Sequence, residues 1–111
     1  MDAQERFFDV ASQDQLPPGN TLKVKMAHGD ILLANVDGKV YAVDDMCTHE
    51  DSSLALGCLK GELVSCTLHG SRFSVVTGQP MEEPATEALR CYPVRIKDGR
   101  IEVCPGDFQD T

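Results

Sequence analysis

Cys47-Thr48-His49 and Cys66-Thr67-Leu68-His69 decide how this chain is read. Each stretch pairs a thiolate with an imidazole. Together they offer two sulfur and two nitrogen donors, enough to close around one metal centre. The spacing is C-x-H, a gap of sixteen residues, then C-x-x-H. A tetrahedral zinc set of two Cys and two His is one candidate. Zinc fingers, however, space two Cys by two to four residues and two His by three to five. Here each half mixes the two donor types, and one half has a single spacer. Chance would seldom place two mixed pairs in so short a chain, so ordinary core Cys with surface His is the weaker reading.

Working outward, the flanks read as short strands joined by tight turns. Phe7, Phe8 and Val10 suggest a first strand, and Pro17-Pro18-Gly19 a loop. Thr21–Met26 reads as a strand turning at His28-Gly29 into Ile31–Ala34. Val36-Asp37-Gly38-Lys39 carries a hairpin signal, because Asp-Gly accepts the positive φ values of a type I′ turn. Lys97-Asp98-Gly99-Arg100 repeats that signal between Val94-Arg95-Ile96 and Ile101-Glu102-Val103. Pro80 and Pro84 break the segment between Val76 and Leu89. Helix is scarce, with one short turn expected within Asp51–Leu56. The pattern predicts an all-β, antiparallel sandwich or barrel base. A smaller subdomain from about 44 to 83 holds both Cys/His patches.

Composition narrows the function. At 111 residues one domain is expected. The net charge of −8 argues against nucleic acid and anionic membrane surfaces as partners. No apolar run approaches the length of a membrane span, and the start lacks the basic and apolar regions of a signal peptide. Five Cys in such a chain point to reduced thiols and a cytoplasmic setting. Once Cys47 and Cys66 are set aside as donors, Cys58, Cys91 and Cys104 remain. They are expected to be small buried hydrophobes.

The chain resembles the soluble Rieske-type [2Fe–2S] ferredoxins that feed electrons to bacterial aromatic-ring dioxygenases. The resemblance rests on the two Cys/His patches and on Gly70-Ser71-Arg72-Phe73. It extends to Thr77-Gly78-Gln79-Pro80 and Tyr92-Pro93-Val94-Arg95-Ile96-Lys97-Asp98-Gly99. It implies one Rieske domain over residues 1–111, with a cluster-binding subdomain at about 44–83. It implies one [2Fe–2S] cluster held by Cys47, His49, Cys66 and His69, two Cys on one iron and two His on the other. It also implies a monomeric electron-transfer component, itself not an enzyme. A flavin-dependent ferredoxin reductase would supply it, and a terminal Rieske oxygenase would receive from it.

Departures from the family pattern carry meaning too. High-potential relatives link the two ligand loops by a disulfide; the corresponding positions here look like Ser52 and Leu68, which cannot form one. Those relatives also carry Tyr where this chain has Phe73, although Ser71 keeps one hydroxyl. Fewer hydrogen bonds to cluster sulfur mean a lower potential, so the chain reads as a low-potential type. Glu50 and Asp51 fit either a docking rim or a solvated loop. Met46 and Leu68 are expected to shield the cluster, and Pro80 to belong to the covering loop. His28 reads as a surface turn residue, and Asp9 and Asp14 have no assigned role. Two other readings stay open: an iron–sulfur or zinc module that recognises a partner or senses redox state, and a permanently bound small subunit of another oxidoreductase.

Overall fold

The computed structural model describes residues 7–26, 29–46, 53–65, 72–82 and 88–104. In chain order its strands are β1 (Phe8–Ser12), β2 (Thr21–Met26), β3 (Gly29–Val36) and β4 (Lys39–Asp44). Next come β5 (Leu59–Lys60), β6 (Leu63–Ser65), β7 (Arg72–Ser74) and β8 (Pro80–Glu82). β9 (Cys91–Tyr92), β10 (Val94–Lys97) and β11 (Arg100–Val103) complete them. They form three antiparallel sheets, ordered β1-β11-β10, β2-β3-β4-β9 and β5-β6-β7-β8. The all-β expectation is met. Among the described residues, the only helical pieces are 3-10 turns at Gln13–Gln15 and Leu54–Leu56, and no helix is long and apolar enough to cross a membrane.

Both Asp-Gly hairpins form as their chemistry requires. Val36 faces Lys39 across the first turn, with Asp37 at φ 53° and Gly38 at φ 96°. Lys97 faces Arg100 across the second, with Asp98 at φ 51° and Gly99 at φ 77°. Aspartate tolerates this left-handed region better than most residues, and glycine pays no steric penalty there. The 3-10 turn at Gln13–Gln15 has a capping box. Ser12 Oγ accepts from the Asp14 backbone N–H, and Gln15 Oε1 accepts from the Ser12 N–H at 2.8 Å.

β3 is longer than the Ile31–Ala34 expected, and Ile31 through Asn35 are all buried. Its successive side chains enter two different cores, because strand side chains alternate faces. Ile31 and Leu33 pack with Ala11, Leu16, Ala42, Ile101 and Val103, between the first and second sheets. Leu32 and Ala34 pack with Val43, Leu54, Val64, Phe73, Val75 and Leu89, on the face that meets the third sheet. The middle sheet is thus covered on both sides. Full burial of a Leu or Ile side chain contributes roughly 1.5–3 kcal/mol, so β3 ties the three sheets together.

Asn35 is the polar member of this buried run. Its Nδ2 donates to the Leu16 carbonyl at 2.8 Å, and its Oδ1 accepts from the Gly38 N–H at 2.7 Å. It therefore satisfies its buried amide while fastening the first hairpin to the loop before β2.

Candidate metal centre

Segment 66–71 joins β6 to β7 of the third sheet, and segment 47–52 precedes that sheet in the chain. Cys47 and His49 fall in segment 47–52, and Cys66 and His69 in segment 66–71; all four lie outside the described residues. What is described is how each segment is bracketed. Met46 and Ser53 form an antiparallel bridge on either side of 47–52. Ser65 and Arg72 are directly opposed across β6 and β7, on either side of 66–71. Each bracket closes on six residues, and each six contains one Cys and one His.

The first bracket is fastened by Asp45. Its carboxylate accepts from the Ser53 hydroxyl and, at 2.9 Å, from the Ala55 N–H. Its carbonyl accepts from the Leu54 N–H at 2.7 Å, and its own N–H donates to the Asp30 carbonyl at 3.2 Å. Next to it, Asp44 ends β4. The Asp44 carboxylate accepts from the Tyr92 hydroxyl, and its N–H donates to the Arg90 carbonyl at 3.0 Å. Burial, aided by the Asp44 carboxylate, pushes the Tyr92 phenol above its ordinary pKa.

The two brackets are joined through Gly57 and Cys58. Ser65 donates its N–H to the Cys58 carbonyl at 2.9 Å, and Gly57 donates to the Leu54 carbonyl at 2.9 Å. A Cβ on Gly57 would fall 1.7 Å from the Ser65 carbonyl oxygen. The turn after the first bracket thus lies directly on the base of the second, an approach only a residue without Cβ permits. Leu54, Val64 and Phe73 are fully buried in one core behind this junction.

Two thiolates and two imidazoles on two segments with joined bases fit a [2Fe–2S] centre in which two Cys hold one iron and two His the other. Among the described residues, no group of three or more His, Cys, Asp or Glu stands where it could hold a metal ion.

The other residues singled out from sequence are placed less uniformly. Cys104 is buried as expected, but Cys58 and Cys91 are exposed. The reason is local: each lies at or beside a two-residue strand at the edge of its sheet. Desolvation, reinforced by Asp44, raises the Cys91 thiol pKa above its ordinary value. Met46 is 51% exposed at the rim of the first bracket. Phe73, by contrast, is fully enclosed. Asp9 does have a partner: Arg100 grips its carboxylate through Nε at 3.0 Å and Nη2 at 2.9 Å. His28, Glu50, Asp51, Ser52, Leu68, Gly70 and Ser71 lie outside the described residues. A surface cavity of about 250 Å³ sits beside the second bracket, lined by Cys58, Lys60, Leu63, Ser65 and Arg72.

Residues 6–93 match the family model described as the Rieske [2Fe-2S] domain. The chain is 36% identical over 97 residues to the ferredoxin component of the naphthalene 1,2-dioxygenase/salicylate 5-hydroxylase systems of Ralstonia sp., covering 87% of this chain and 93% of that one. It is 40% identical over 92 residues to the biphenyl dioxygenase ferredoxin subunit of Pseudomonas sp. (strain KKS102), covering 82% and 84%. Its fold is similar to a chain in the complex of reduced oxygenase and oxidized ferredoxin in carbazole 1,9a-dioxygenase. There the TM-score is 0.88 at 30% identity, over 93% of this chain and 96% of that one. The chain belongs to the Rieske [2Fe-2S] family, and its cofactor is one Rieske-type [2Fe–2S] cluster.

Proposed function

We propose that this chain is a one-electron carrier, the ferredoxin component of an aromatic-ring dioxygenase system. The observation that carries this is the near full-length match, on both sides, to proteins named as ferredoxin components. When bound, a Rieske cluster supplies a one-electron couple at about −150 to +300 mV. The chain's own part is to hold that couple and present it to partners.

Cys47 and Cys66 are the thiolate ligands and His49 and His69 the imidazole ligands. The bracketing of 47–52 and 66–71, and the close seat of Gly57 on Ser65, support one site built from both segments. Residues 44–83 then act as the cluster-binding subdomain within a single domain over 1–111. The neutral imidazoles leave the oxidised centre with less negative charge than four thiolates would, which favours electron uptake. Electrons come from a flavin-dependent reductase and go to a terminal oxygenase. Support for the second partner is the similarity to a chain of an oxygenase–ferredoxin complex. The carrier works as a cytoplasmic monomer, in keeping with three thiols that are free of disulfides.

The test is reconstitution. The cluster-loaded protein, a flavin reductase with NADH and a purified aromatic-ring oxygenase should give product, and omission of this chain should stop turnover. Unchanged turnover without it would refute the carrier role.

A further inference from the structure

Asp45 is only 2% exposed, yet it carries a carboxylate and lies two residues before Cys47. A buried carboxylate is costly unless hydrogen-bonded. Both oxygens of this one are used, and both partners lie on the far side of segment 47–52. Oδ2 accepts from Ser53 Oγ, and Oδ1 accepts from the Ala55 N–H at 2.9 Å. The Asp45 carbonyl adds a third bond across the same gap, from the Leu54 N–H at 2.7 Å. Among the described residues its ion-pair partner is Lys23, with Nζ 3.9 Å from Oδ2 and shared with Asp30 at 3.5 Å. The residue's bonding is therefore directed at closing the segment, more than at pairing with a counter-charge.

We propose that Asp45 is a positioning residue for the metal centre. Its carboxylate ties Asp45 to Ser53 and Ala55 and so fixes the residues that flank segment 47–52, from which Cys47 and His49 would bind the metal. This rests on the reading that those two residues are ligands. Without the clasp, what holds the bracket among the described residues is the Met46–Ser53 bridge and the backbone bond from Leu54, and each departure of a ligand is less readily reversed. Partners that hold metal ligands in place are commonly worth about 10–100-fold in metal affinity.

The experiment starts from cluster-loaded protein and follows iron release to a chelator, with urea unfolding of the same samples. Asp45→Ala should release iron at least about tenfold faster than the native chain. Asp45→Asn should recover most of that loss, because its amide still accepts from Ala55 and can donate to the Ser53 oxygen. Ile101→Val, in the core between the first two sheets, lowers global stability by trimming a buried methyl group and should release iron near the native rate. Release from Asp45→Ala no faster than from Ile101→Val overturns the proposal, and so does Asp45→Asn behaving like Asp45→Ala. Should Asp45→Ala fail to fold, Ser53→Ala removes one of the three bonds; faster release from it supports the clasp, and native release overturns it. Cys47→Ala, run alongside, separates the two readings. Full iron content in Cys47→Ala defeats the ligand assignment. Iron lost there, with native release from Asp45→Ala, defeats the clasp alone.

Discussion

Gly57→Ala isolates the contact that joins the two brackets. The added Cβ would meet the Ser65 carbonyl oxygen at 1.7 Å and its carbon at 2.9 Å, against an ordinary contact of at least 3.4 Å. Gly57 has φ −93° and ψ −159°, an extended conformation open to any residue. The whole cost is therefore the collision. Opening the gap must move either the turn or β6. Moving either strains two bonds, Gly57 N–H to Leu54 and Ser65 N–H to Cys58, each 2.9 Å. Overpacking costs about 1–3 kcal/mol, and weakening two hydrogen bonds adds about 1 kcal/mol each. The reduced freedom of the unfolded chain returns about 0.4–1 kcal/mol. The net loss is about 3 kcal/mol, which for a domain of this size lowers Tm by roughly 10 °C. The assay is a thermal scan of the loaded protein, with iron and acid-labile sulfide counted per chain. Gly61→Ala is the control: its φ is +63° but no atom lies within 4 Å of its Cβ. It should cost about 1 kcal/mol and leave iron content intact. A Gly57→Ala protein with native Tm and full iron would refute the argument.

Three further outcomes are expected. His49→Ala and His69→Ala should each lose most of their iron and acid-labile sulfide, whereas His28→Ala should keep both; elemental analysis decides. Arg100 holds the Asp9 carboxyl below its ordinary pKa, chiefly through their hydrogen bonds. The pair's stabilising effect is thus present above the ordinary carboxylate range and lost as pH falls through the lowered folded value; carboxyl NMR should show the Asp9 pKa rising toward the ordinary carboxylate value in Arg100→Gln. Cys91 is exposed, but burial of its sulfur and the nearby Asp44 disfavour its thiolate. Alkylation at pH 8, read by mass spectrometry, should proceed more slowly at Cys91 than at an unstructured peptide thiol, and should quicken in Asp44→Asn.

The hairpins were legible because their requirement is local. Asp37-Gly38 and Asp98-Gly99 name the turn that follows from their own backbone freedom. The family was legible because thiolate and imidazole at such spacing have few other uses. Ser12 and Gln15 carry a local signal too, the S-x-x-Q of a capping box. What could not be read were partners set by the fold. Nothing near Asp9 announces Arg100, 91 residues away, and nothing near Gly57 announces the Ser65 carbonyl. Asp44 and Asp45 look interchangeable in sequence, yet one meets Tyr92 and the other spans the first bracket. Cys58 and Cys91 had no periodicity to reveal that they would fall at sheet edges.

The double burial of β3 removes a safeguard that most strands possess. In a sheet with one wet face, slipping a strand by a single residue turns its apolar side chains into water, and the slip is rejected. Here Ile31-Leu32-Leu33-Ala34 would merely trade cores, leaving four apolar side chains buried as before. Greasiness alone cannot tell the two alignments apart. Asn35 can. Moved by one position, its amide would forfeit both the Leu16 carbonyl and the Gly38 N–H. A stranded buried amide costs about 1–3 kcal/mol. A single polar residue at the end of an apolar run thus acts as the alignment mark of the central strand, and so of the β4 end from which the first Cys/His segment departs.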